Sequence, residues 1–135
     1  MCCSCTNKTT IENGELQEAI SQVWLDTESA QQALDKINAS TLSDYEQQRY
    51  HLAEAHLMLK RELRLPNSSN LDAMAKYFAN CEDGASASEA YYIQGAYLNY
   101  IGENTRAMQY LKKAESYRAE SIIRGMTYYK MGRIS

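Results

Sequence analysis

Little in this chain would interrupt a helix. The 135 residues include one proline and no alternating β-branched run, and both facts argue against a sheet. No apolar stretch reaches the roughly 18 residues that mark a membrane-spanning helix. Lysine and arginine form no stripe and the net charge is −3, which disfavours duplex nucleic acid as a partner. Histidine and cysteine lack metal-binding spacing. Cys2 and Cys5 have no second Cys or His pair behind them, and His51 and His56 are too badly phased on a helix to share one ion. There is no nucleophile elbow, no H-E-x-x-H, no phosphate-binding loop and no dinucleotide fingerprint. No metal, cofactor or catalytic residue is therefore expected. Phenylalanine occurs once against eleven tyrosines. A tyrosine can pack its ring in a helix seam and keep its hydroxyl wet, which suits a thin two-layer fold.

The apolar residues that are present recur at helical spacing. Helices are expected at about 12–25, 27–38, 43–63, 70–80, 87–101, 104–117 and 119–131, about seven in all, with the first six arranged as consecutive pairs. Tyr45, Arg49, Leu52, His56, Leu59 and Leu63 mark one face of the third helix. His56 falls in that series and reads as a packed residue rather than an acid–base group. Punctuation agrees. Asp26 offers an N-cap, and Ser43 with Glu46 three residues on forms a capping box. Asn70 or Ser69 can cap the fourth helix, which Glu82-Asp83-Gly84 should end. Gly102-Glu103-Asn104 reads as a tight turn.

The stretch Tyr91 to Ala114 carries the most specific signal. Tyr91 supplies a large aromatic residue and Gly95 a small one on the first helix. Gly102 marks the turn, and Ala107, Leu111 and Ala114 give A-x3-large-x2-A on the second. This pattern resembles the tetratricopeptide repeat (TPR), a helix–turn–helix unit of about 34 residues. Gly125, Tyr128 and Gly132 repeat Gly95, Leu98 and Gly102 thirty residues on. The resemblance implies an all-α, right-handed solenoid of antiparallel helix pairs. It also implies that Gly95 must be small because two helices cross there, so that leucine would overpack the contact while alanine would be mild.

The N-terminus reads Met1-Cys2-Cys3-Ser4-Cys5, followed by a polar tether to about residue 11. A structural disulfide is disfavoured, because Cys81 lies far along the chain and adjacent cysteines pair poorly. Acidic neighbours at Glu82 and Asp83 also disfavour a reactive Cys81 thiolate. The cluster instead looks like a bacterial lipoprotein junction, with Cys2, Cys3 or Cys5 as the lipidated residue. Residues 12–135 would then form the repeat domain, continuing beyond Ser135. In this respect the chain resembles the N-terminal part of lipid-anchored or secreted TPR proteins common in Bacteroidota, which implies a place in the periplasm or at the cell surface.

A TPR-like groove would bind a protein or peptide without catalysis. The repeat register puts Tyr92, Asn99 and Tyr100 in it, followed by Met126, Tyr129 and Lys130, and more loosely Tyr50, Glu54 and Met58. A glycan- or small-ligand-binding role is the alternative, with groove aromatics stacking on a sugar. The helix expected at 119–131 is apolar on several sides, so its surface would self-associate if nothing covered it.

Overall fold

The computed structural model describes residues 9–66 and 70–117. They form six α-helices and one short 3-10 turn, with no strand among the described residues. The helix expected at 119–131 lies outside them. Contacts divide the described chain into two compact units, residues 9–66 and 70–117.

In the first unit, α1 (Gly14–Val23) and α2 (Thr27–Asp35) pack on each other and both pack on α3 (Asp44–Glu62). Asn13 caps α1 by accepting from Leu16 N at 2.9 Å. Asp26 caps α2, its Oδ1 accepting from Glu28 N at 3.1 Å and Ser29 N at 3.2 Å. Apolar residues three and four apart fill the space between: Leu16, Ala19 and Val23 of α1, Ala30, Ala33 and Leu34 of α2, and Ala53 and Leu57 of α3.

The Ser43–Glu46 box is present in both directions. Glu46 does more than close it. Its Oε1 accepts from Ser43 N at 3.0 Å, while Oε2 accepts from Glu12 N at 2.8 Å and Asn13 N at 2.9 Å. One carboxylate thus ties the entry of α1 to the entry of α3. Desolvation pushes this carboxyl up, but the backbone donors of Ser43, Asn13 and Glu12 outweigh it and bring its pKa below the ordinary value.

At the other end of α1, Lys60 Nζ donates to the Val23 carbonyl at 2.8 Å and lies 5.7 Å from the centre of the Trp24 ring. A cation at a helix C-terminus satisfies a carbonyl that the helix cannot. His56 is fully buried and meets Trp24 edge-on at 4.5 Å, the packed role its spacing indicated. Leu63 departs from the expected face. It is the C-cap of α3 with φ 58°, left-handed and half exposed.

The second unit holds α4 (Leu71–Asn80), α5 (Gly84–Tyr100) and α6 (Asn104–Ser116), with α5 packed against both neighbours. The sequence reading pairs the third helix with the fourth, whereas the unit boundary falls between them and α4 packs on α5. α5 also begins three residues earlier than expected. Asp83, read as part of a helix stop, is an N-cap whose Oδ1 accepts from Ser86 N at 3.1 Å. From Ser86 to Leu98, α5 has buried residues on every side, including Ser86, Ser88 and Glu89. Ser88 Oγ donates to the Ala114 carbonyl at 2.7 Å, fastening α5 to the last turn of α6.

Candidate functional site

The α5–α6 hairpin is built as its sequence pattern requires. Gly102 makes the turn at φ 89°, a conformation that a Cβ disfavours. Beyond it, Ala107, Leu111 and Ala114 present the buried face of α6 to α5. Gly95 lies against Leu111, and no side chain fits between them.

The buried stripe leaves a second face on α6. Asn104, Thr105, Met108, Gln109 and Lys112 fall on the far side of the helix and line an open hollow of about 440 Å³. Its lining is a methionine among amides, a hydroxyl and one ammonium group. Just before α6 in the chain, Tyr100 and Ile101 are 57% and 48% exposed. The surface exposed within the hollow is mostly apolar, and Tyr100 and Ile101 do not line it. The lining groups can hold an apolar side chain and hydrogen-bond a neighbouring backbone. They contain no nucleophile–base pair.

The groove residues expected from the sequence separate. Tyr100 is exposed and Asn99 half buried. Tyr92 departs from the open groove position expected of it: it is 4% exposed, inside the helix packing. Burial pushes its phenol pKa up to about 12. Met126, Tyr129 and Lys130 lie outside the described residues. Tyr50, Glu54 and Met58 are each half buried, and Tyr50 packs against the core of the first unit.

A tyrosine cluster that the repeat register did not reveal sits across the second unit. Tyr91 stacks on Tyr117 at 5.8 Å and approaches Tyr110 at 6.2 Å. Lys113 Nζ lies 5.1 Å from the Tyr110 ring centre and 5.6 Å from that of Tyr91. Tyr110 donates its hydroxyl proton to Asp72 Oδ2 at 2.9 Å, joining α6 to the start of α4. Desolvation, then the neighbouring Tyr117 and Asp72, raise the Tyr91 phenol. Positions 110, 113 and 117 recur at helical spacing, so the signal was legible as a stripe on α6. Its partners on α4 and α5 were not.

Cys81 is a correction. It is the C-cap of α4, 8% exposed, and is disulfide-bonded. Distance along the chain was a weak objection, because the cost of closing a loop grows only slowly with its length. Cys2, Cys3 and Cys5, the lipidation candidates, lie outside the described residues. Among the described residues no three His, Cys, Asp or Glu side chains converge as a metal site, and no helix is long and apolar enough to cross a membrane. No protein-family profile, curated protein or solved structure matches the chain.

Proposed function

We propose that this chain is a TPR-like interaction module, held at the outside of the cytoplasmic membrane by an N-terminal lipid, that binds a peptide or partner helix without catalysis. The observation that carries the reading is the outer face of α6. It borders an open, mostly apolar hollow on a helix whose other face is used in packing, and Tyr100 and Ile101, just before α6 in the chain, are exposed. Tyrosine is a favoured anchor at such surfaces, because it adds large area with few rotors to freeze. The small residue at Gly95, the left-handed Gly102 and the Ala107–Leu111–Ala114 stripe support a repeat-like hairpin. The disulfide at Cys81 supports an oxidising compartment, since such bonds are rare in the cytosol.

Titration of the full chain against peptide and oligosaccharide pools tests the reading and separates it from a glycan-binding role. Peptide binding should weaken by about 1–2 kcal/mol in Tyr100→Ala and in Met108→Ala, with the helical circular dichroism unchanged. Peptide binding that neither variant alters would place the ligand on another surface. Binding confined to oligosaccharides would overturn the peptide reading. A natively expressed protein without a lipid adduct on its N-terminal cysteines would remove the anchor.

A further inference from the structure

We propose that the end of the first unit where α1 turns into α2 and α3 stops is a membrane-contact surface, resting on the headgroup region of an anionic bilayer. Two side chains carry its apolar part. Leu25, in the α1–α2 turn, is 78% exposed, and Leu63, the C-cap of α3, is 47% exposed. Among the described residues of this unit they are the exposed large hydrophobic ones, and the fold brings them to one end. Lys60 Nζ reaches the Val23 carbonyl from the last turn of α3, and Trp24, half buried, packs from the same turn onto His56 of α3.

The charge at this end suits an anionic surface. Lys60, Arg61 and Arg64 crowd the end of α3, while the unit's other basic residues stand apart, Lys36 as the C-cap of α2 and Arg49 early in α3. Two of the nearby carboxylates are engaged. Asp26 caps α2, and Glu62 Oε1 lies 2.7 Å from the Arg64 guanidinium. Glu28, in the first turn of α2, is the third. The company of leucine and tryptophan favours a bilayer over an acidic protein. Tryptophan settles at headgroup level, and lysine and arginine lay their stems along apolar surface with their charges at the phosphates. An exposed leucine gains by entering the acyl boundary. The contact does not depend on the acyl anchor proposed above. Together they would supply two membrane signals, where one acyl chain alone binds only marginally.

Flotation of the full chain with vesicles, using protein produced without an acyl group, tests this. Vesicles of phosphatidylethanolamine and phosphatidylglycerol should carry the protein upward and shift the emission of Trp24, the chain's single tryptophan, to the blue. Leu25→Ser should lower partitioning about tenfold and Arg61→Gln about fivefold, the second effect fading at high salt. Both side chains are exposed, so melting temperatures should hold. Equal binding to phosphatidylcholine vesicles, or flotation that neither variant alters, would overturn the proposal. So would a Trp24 shift produced by polyglutamate and not by vesicles, which would assign this end to an acidic protein. Vesicle binding and peptide binding are read separately, so either reading can fail while the other stands.

Discussion

A methyl group placed on Gly95 would meet Leu111 Cγ and Cδ2 at 2.8 Å, and the Ala107 carbonyl oxygen at 3.2 Å. Leu111 is fully buried and cannot swing away, and a backbone oxygen cannot yield without moving α6. The sequence reading expected alanine to be mild at this position. The geometry reverses that expectation. Gly95→Ala gains about 1 kcal/mol of helix propensity but should lose on the order of 1–3 kcal/mol to overpacking, and Gly95→Leu should lose more. Urea unfolding measures both. In a Leu111→Ala background, itself costing about 2–5 kcal/mol, Gly95→Ala should become neutral or stabilising. Equal effects in the two backgrounds would rule out this contact as the cause.

Glu46 gives the fold an acid-sensitive joint. Its folded pKa lies below the ordinary carboxylate value. Its contribution is therefore complete above the unfolded pKa and lost as pH falls through the folded one. Glu46→Gln should cost roughly 2–3 kcal/mol at neutral pH, since charged hydrogen bonds to three backbone donors are weakened. The deficit relative to the parent should shrink as the solution is acidified. A deficit independent of pH would mean that shape, not charge, matters there.

Tyr92 sets the corresponding limit in alkali. Its phenol is raised from 10.0 to about 12 by desolvation. The stability it contributes is complete below the ordinary phenol value and lost as pH rises through about 12. Tyr92→Ala should cost about 3–5 kcal/mol, the usual loss for emptying a buried aromatic site. A variant that kept its parent's melting temperature would return Tyr92 to the surface.

Two left-handed residues should respond in opposite directions. Gly102 sits at φ 89°, so Gly102→Ala should cost roughly 1 kcal/mol. Leu63 sits at φ 58° and is half exposed, so Leu63→Gly should gain up to about 1 kcal/mol. Thermal unfolding of the two variants against the parent checks both signs.

Local chemistry was legible in the sequence; partners distant along the chain were not. Asp26, the Ser43–Glu46 box and Asn70 were readable as caps because capping acts over three residues. His56 was readable from its spacing, and Gly95 from the repeat resemblance. The bonds from Glu12 and Asn13 to Glu46, and from Lys60 to Val23, span more than thirty residues and leave no local trace. Tyr92 was misplaced for a different reason. The groove reading assumed that α5 has one buried face and one open face. Between Ser86 and Leu98 α5 has buried residues all round, so its apolar pattern there has no periodic gap that would mark an outside. Asp83 was misread because it closes one helix turn and opens the next within two residues of Cys81.

The two faces of α6 draw on different residues. Ala107, Leu111 and Ala114 serve the packing, while Asn104, Thr105, Met108, Gln109 and Lys112 border the hollow. The hollow's border can therefore change without disturbing the packing. Substitutions at the five bordering positions alter what the surface offers while leaving the contact with Gly95 intact. A library randomised there should keep a nearly constant melting temperature, whereas the same library on the buried part of α5 should mostly report unfolding.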